Sequence, residues 1–222
     1  MIESPMTNKV DYYDTVYSVL HFIGDKDILE IACFSGEMFH PIQKNKPRSH
    51  TAIEPYRRGF DKAVETAEEF GYDIDIHNIA YEDMSWDKTF DVVLCTGLLY
   101  HLHSPLHLIE TLGNLNSEYI ILEATGALGV DICSNSQYPG GQTGPTEIYV
   151  SKIEFGRETN NIPGNRQSVG KYVNCVARIN KTVIVKAFDQ LGYRLESVND
   201  IYSSTQSKAE VCMMVFRRIE NE

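Results

Sequence analysis

The chain has 222 residues and a mass of 25.2 kDa, with 42% hydrophobic and 23% charged residues. That is the composition of a soluble globular protein, long enough for one full core and one insertion. Its net charge of −11 and pI near 5.1 disfavour nucleic acid as a partner, because an acidic surface repels phosphate backbones. Basic residues gather only weakly, at Lys44, Lys46 and Arg48 and at Arg57-Arg58. The five cysteines (Cys33, Cys95, Cys133, Cys175, Cys212) form no C-x-x-C pair, so neither a zinc site nor a disulfide framework is expected. No apolar run approaches the ~20 residues of a membrane helix, and Met1 to Lys9 lack a secretory pattern. A reduced, cytoplasmic setting without membrane contact is expected, with the oligomeric state open.

From Val10 to Ile23 apolar residues recur at helical spacing, and Gly24 is a plausible C-cap. Ile28 to Ala32 reads as a strand, and a helix starts near Gly36, with Pro41 early enough to be tolerated. A second strand ends at Ala52-Ile53. Phe60, Ala63, Val64, Ala67 and Phe70 then make a helical stripe closed by Gly71. Ile74 to Ile76 is a short third strand, and Phe90 to Cys95 is continuous and apolar, as parallel strands prefer. Ser104-Pro105 reads as an N-cap with proline at N1, opening a helix through Leu112, and Tyr119 to Leu122 as strand five. This alternation predicts a parallel sheet with helices on both faces.

Residues 125–172 break the rhythm. They hold eight of the fifteen glycines plus Pro139, Pro145 and Pro163, and show little sustained periodicity. A loop-rich segment of that length inside a domain points to a functional excursion. Asn180 is then expected to cap a helix carrying Val183, Ile184, Ala187, Phe188 and Leu191, ended by Gly192. Tyr193 to Val198 and Val211 to Phe216 close the chain as strands.

The stretch Asp27 to Gly36, read with Thr51-Ala52-Ile53-Glu54-Pro55, carries the chemistry. A strand ending in small residues and a glycine lets a ligand approach the backbone, and an acid after the next strand accepts two ribose hydroxyls. Gly36 and Glu54 lie eighteen positions apart, near the roughly 20 of one βαβ unit.

Ile28-Leu29-Glu30-Ile31-Ala32-Cys33-Phe34-Ser35-Gly36 resembles the first motif of class I S-adenosylmethionine-dependent methyltransferases, and Glu54 stands at their ribose-binding acid. Phe90 to Pro105 resembles their fourth-strand motif. The run Leu99-Tyr100-His101, then Ser104-Pro105, is closest to the subgroup of tRNA wobble-uridine carboxymethyl-transfer enzymes and related small-molecule methyltransferases. The resemblance spans about residues 26–124 and implies a seven-stranded Rossmann-like α/β sheet, strands 1 to 5 parallel and the last antiparallel. A loop-rich insertion between strands 5 and 6 would cover the site.

It implies S-adenosyl-L-methionine as cofactor, held by Ala32, Phe34 and Gly36 in the turn and by Glu54, Pro55 and Tyr56 after strand 2. Tyr81-Glu82 would meet the adenine, mainly through backbone groups, and Thr96-Gly97 the methionine side. Phe34 and Tyr100 offer aromatic faces to the sulfonium. Glu30 would hold the loop or the cofactor's ammonium. The family usually has glycine where this chain has Ala32 and Phe34, so Phe34 either packs against the methionine moiety or narrows the pocket.

His101 stands where a general base could act, with a structural, backbone-bonded histidine as the other reading. His103 and His107 share no ligand pattern with an acid, so no metal is expected. Tyr149, Arg157 and Arg178 are the candidate substrate contacts, for a small polar or anionic acceptor. Two rivals stand beside methyl transfer: a transferase of a modified S-adenosylmethionine acting on tRNA, and a non-catalytic cofactor-binding protein. A nicotinamide oxidoreductase is disfavoured, since Ala32-x-Phe34-x-Gly36 supplies no G-x-G-x-x-G run.

Overall fold

The computed structural model describes residues 19–102, 104–125, 148–154, 174–179, 181–203 and 210–219. Its elements in chain order are β1 (Asp27–Ile31), α1 (Phe39–Lys44), β2 (Ser49–Ile53), α2 (Arg57–Phe70), β3 (Asp75–His77) and β4 (Val92–Cys95). There follow α3 (Pro105–Asn114), β5 (Tyr119–Thr125), β6 (Ile148–Glu154), β7 (Asn174–Ile179), α4 (Lys181–Gln190), β8 (Tyr193–Ser203) and β9 (Glu210–Arg218). Seven strands form one sheet in the order β3-β2-β1-β4-β5-β9-β8. The first five are mutually parallel, and β9 runs antiparallel to both β5 and β8. This is the predicted Rossmann-like sheet with its last strand reversed.

β4 reads as an unbroken apolar run, and β1 as one interrupted only by Glu30, because both faces of these central strands are buried. On one face Leu29, Ile31, Val93, Cys95, Ile120 and Leu122 meet Leu108, Ile109 and Leu112 of α3 and Ile184 and Phe188 of α4. On the other, Ile28, Val92, Leu94 and Ile121 meet Leu20 and Ile23, Met38 at the N-cap of α1 and Ile42 within it. Ala52 packs there under Ala63 and Ala67 of α2, which ends at Gly71 in the left-handed conformation. Rings close the first layer, with Phe188 and Phe216 centroids 4.2 Å apart.

Several boundaries move for identifiable reasons. Gly36 has φ +79°, which ends any helix there, so α1 begins at Phe39 and Pro41 sits in its first turn. β5 and β8 run longer than predicted because β9 keeps pairing with both, to Thr125↔Val211 and Ser203↔Glu210. Pro105 occupies N1 of α3 as expected, but the Ser104 side chain makes no capping bond; its carbonyl accepts the His107 N–H at 3.1 Å. Of the expected N-terminal helix only residues 19–23 are described, as a 3₁₀ turn over Leu20–Phe22. Asn180 lies outside the described residues.

The larger correction falls in the 125–172 segment, expected to hold no long regular element. β6 lies inside it and pairs antiparallel with β7 as a separate two-stranded sheet. A register shift between Val150 and Lys152 breaks the period-2 alternation, and the partner strand begins only at Asn174, so no hairpin signal marks the pair. Residues 126–147 and 155–173 lie outside the described residues.

Candidate cofactor-binding site

The turn after β1 is backbone chemistry. Ala32, Phe34 and Gly36 take φ values of +62°, +48° and +79°, so all three positions of the glycine pattern are left-handed although two are not glycine. A non-glycine residue there costs about 1–2 kcal/mol. Gly36 has no substitute: a Cβ would sit 2.6 Å from the ring of Phe39, which is fully buried. The turn is held by a set of bonds. Cys33 N–H reaches Ile53 O (3.1 Å), Gly36 N–H reaches Cys33 O (2.9 Å), and the Thr66 hydroxyl of α2 donates to Ser35 O (2.9 Å). Strained residues fixed this firmly collect at ligand sites.

Glu54 completes the arrangement. One carboxylate oxygen accepts the Phe34 N–H and the other the Tyr56 N–H, each at 2.8 Å. The acid therefore ties the β1 turn to the start of α2. Burial pushes its pKa up, and the two amides partly offset that shift. Each oxygen retains acceptor capacity after one N–H, so the pair fits a ribose diol. Asn78, which the sequence reading passed over, donates its amide to the Glu54 and Pro55 carbonyls (2.7 and 3.2 Å) and so fixes the loop. A polar residue just past a three-residue strand is the only local signal for it.

Glu30 does not reach the turn through any hydrogen bond among the described residues. It lies 1% exposed beneath α1, with one oxygen 3.0 Å from His50 Nε2. Gln43 donates its amide to His50 Nδ1 (3.2 Å), so the ring carries its proton on Nε2 and donates to Glu30. The second Glu30 oxygen is buried without a hydrogen-bond partner among the described residues. Such an orphan acceptor near a strand end is suited to an ammonium.

At the end of β4, Thr96 is buried and Gly97 has φ +69°. A 3₁₀ turn over Leu99–His101 follows, with the His101 N–H on Leu98 O at 2.8 Å. His101 is exposed, and partial burial of its ring lowers its pKa. Tyr100 is placed in this turn by its backbone alone. Tyr81 and Glu82 open another 3₁₀ turn; the Tyr81 ring belongs to the core, and burial, with the neighbouring Glu82 carboxylate, pushes the pKa of its hydroxyl up.

β7 packs against the 99–101 turn and α3, bringing the added sheet over the β4 end. In its ladder Tyr149 and Arg178 are direct cross-strand partners, so two of the three candidate substrate residues share one register position. Arg157 lies outside the described residues, as does His103. Cys33 and Cys95 are buried thiols with pKa values pushed up by burial, as expected of small core residues.

A groove of about 890 Å³ lies at the other edge of the sheet, lined by Asp91, Glu118, Arg194, Arg217 and Arg218. It contains none of the turn residues. In doubly wound sheets ligands bind at the carboxyl ends of the strands, where Glu54, Thr96 and the β1 turn converge. No helix among the described residues is long and apolar enough to cross a membrane.

Residues 14–123 match a family model described as a methyltransferase domain. The tRNA U34 carboxymethyltransferase of Helicobacter pylori strain J99 is 25% identical over 134 residues, 52% of this chain and 48% of that protein. The chain thus spans about half the length of that relative. Magnesium protoporphyrin IX methyltransferase from Synechocystis PCC 6803, crystallised with S-adenosylhomocysteine, superposes with a TM-score of 0.63 at 15% identity over 95% of this chain and 85% of that one. The cyclase SpnF superposes with a TM-score of 0.66 at 10% identity over 99% and 86%. Fold and family match agree: this is a Rossmann-like methyltransferase fold, with the methyltransferase domain signature in residues 14–123.

Proposed function

We propose that this chain binds S-adenosyl-L-methionine and transfers its methyl group to a small polar or anionic acceptor. The observation that carries the reading is Glu54, whose two oxygens are oriented by the Phe34 and Tyr56 amides at the carboxyl end of β2. Glu54 would accept the ribose hydroxyls, the free oxygen of Glu30 the ammonium, and the backbone of Tyr81-Glu82 the adenine. Thr96-Gly97 would line the methionine side, with Ala32, Gly36, Pro55 and Tyr56 shaping the turn around it. Bound there, the cofactor supplies an electrophilic methyl on a sulfonium. The chain's own work is positioning and exclusion of water, which dominate an in-line displacement.

Calorimetry with S-adenosylhomocysteine and with NAD is the direct check. We expect the former to bind and the latter not to; preference for NAD would refute the reading.

His101 would take the acceptor's proton. Because burial lowers its pKa, the imidazole is neutral over more of the acid range than an ordinary histidine near 6.5. The rate should therefore be flat at neutral pH and fall only below that ordinary value. His101→Ala should cost about 10²–10⁴ in kcat. An acid limb that survives in the alanine variant assigns His101 a structural role instead.

The acceptor side is proposed to be the β6–β7 sheet, with Tyr149 and Arg178 opposite one another and Arg157 in the same insertion. A second reading, transfer from a modified S-adenosylmethionine to tRNA, is favoured by the name of the Helicobacter pylori relative. The −11 charge weighs against it. Mass spectrometry of the ligand that copurifies with the protein separates the two. Cofactor binding with no turnover on any acceptor would point to a non-catalytic role.

A further inference from the structure

Phe34 is one of three large hydrophobic residues left exposed among the described residues, at 46%. It holds a left-handed backbone, φ +48°, at a position where a bulky residue is costly. Hydrophobic gain repays that cost only in part, because nearly half of the residue's surface stays exposed. What the ring does is local. A Cβ built on Gly59 of α2 would lie 3.2 Å from Phe34 Cδ2, 3.2 Å from Glu54 Cγ and 3.3 Å from Glu54 Cδ. The ring and the carboxylate therefore flank one point, and the absence of a side chain at Gly59 makes room for both. On the other side of that point, Glu54 is only 1% exposed.

Resting on the adenosyl reading above, we propose that the Phe34 ring screens Glu54, so that a ribose gains the carboxylate only by displacing the ring. The Phe34 N–H fixes one oxygen of Glu54 while the Phe34 side chain guards the approach to it. One residue thus both orients the acceptor and discounts every ligand that must reach it. A ligand without ribose hydroxyls has no reason to move the ring.

The test compares wild type, Phe34→Gly, Phe34→Ala and Glu54→Ala, titrated with S-adenosylhomocysteine by calorimetry and with adenine as the probe lacking ribose. Thermal unfolding of each protein is recorded without additive. Phe34→Gly removes ring and strain together; Phe34→Ala removes the ring and keeps the strained backbone, so the two separate screening from strain. We expect both Phe34 variants to bind S-adenosylhomocysteine about tenfold more tightly than wild type, with adenine affinity unchanged. Only Phe34→Gly should unfold at higher temperature. Equal or weaker binding of S-adenosylhomocysteine in both Phe34 variants overturns the screen and makes the ring a packing wall, leaving the adenosyl reading intact. Tighter binding of adenine by the same factor also overturns it, since the ring would then obstruct the pocket at large. Failure of all four proteins to bind S-adenosylhomocysteine overturns the adenosyl reading and the screen with it.

Discussion

Replacing His50 with alanine is expected to destabilise the protein by about 2–3 kcal/mol, the scale for leaving a buried acceptor without its hydrogen-bond donor. His50 and Glu30 have side-chain exposures of 0% and 1%, and His50 is the only hydrogen-bond partner of Glu30 among the described residues. The alanine leaves a buried carboxylate with no donor on either oxygen, in a layer that also holds Phe39, whose ring meets His50 edge-on at 5.4 Å. Urea unfolding of His50→Ala, Glu30→Gln and the double variant measures the coupling. The double variant should recover part of the loss, because an amide buried alone costs less than a carboxylate. A loss below about 1 kcal/mol in His50→Ala would show that solvent reaches Glu30 by another route.

Glu54→Ala is expected to act twice. Charged hydrogen bonds to two ribose hydroxyls contribute roughly 1.5–3 kcal/mol each, so losing both should lower S-adenosylhomocysteine affinity by about 10²- to 10⁴-fold. The same change strips acceptors from the Phe34 and Tyr56 amides, and leaving such donors unmet costs about 1–3 kcal/mol of stability. Glu54→Gln should keep one amide satisfied and turn an NH₂ group toward the other, recovering part of the stability and less of the binding. If stability falls while affinity holds, Glu54 serves only to organise the turn.

These two acids exchange part of the roles the sequence suggests for them. Glu30, at the strand end, is the natural candidate for holding the loop; Glu54, after β2, for meeting the ribose. In the structure Glu54 holds the loop with its own oxygens, and Glu30 is engaged beneath α1 by His50, a residue on the neighbouring strand. Nothing local to Asp27–Gly36 carries that information. Glu30 pairs in register with Ala52, and His50 lies two residues back on the same face of β2. The bond is therefore a product of the parallel register between β1 and β2.

The elements differ in the same way. The alternation of apolar runs and helical stripes from residue 28 to 122, the N1 proline of α3 and the glycine stop of α2 were legible because each is written within one turn or one strand. β6 was not, because its bulge disrupts alternation and its partner begins only after nineteen intervening residues, at Asn174. Gly59 and Asn78 gave no signal either, since a glycine in a helix and an asparagine in a loop acquire their meaning from Phe34, Glu54 and Pro55 across the turn.

By itself the sequence determined the alternation of strands and helices from residue 28 to 122 and the place of an acid after β2, because hydrophobic period and backbone preference are local properties of the chain; the reversed last strand was implied only by the family resemblance. Only the tertiary structure decided which donor each carboxylate oxygen meets, that Phe34 keeps a left-handed backbone beside Gly59, and that Tyr149 and Arg178 share a register position. Apart from the Tyr56 amide, two residues from Glu54, those outcomes depend on contacts between residues about 20 or more apart, and local preferences do not encode which distant partner a buried polar group must find.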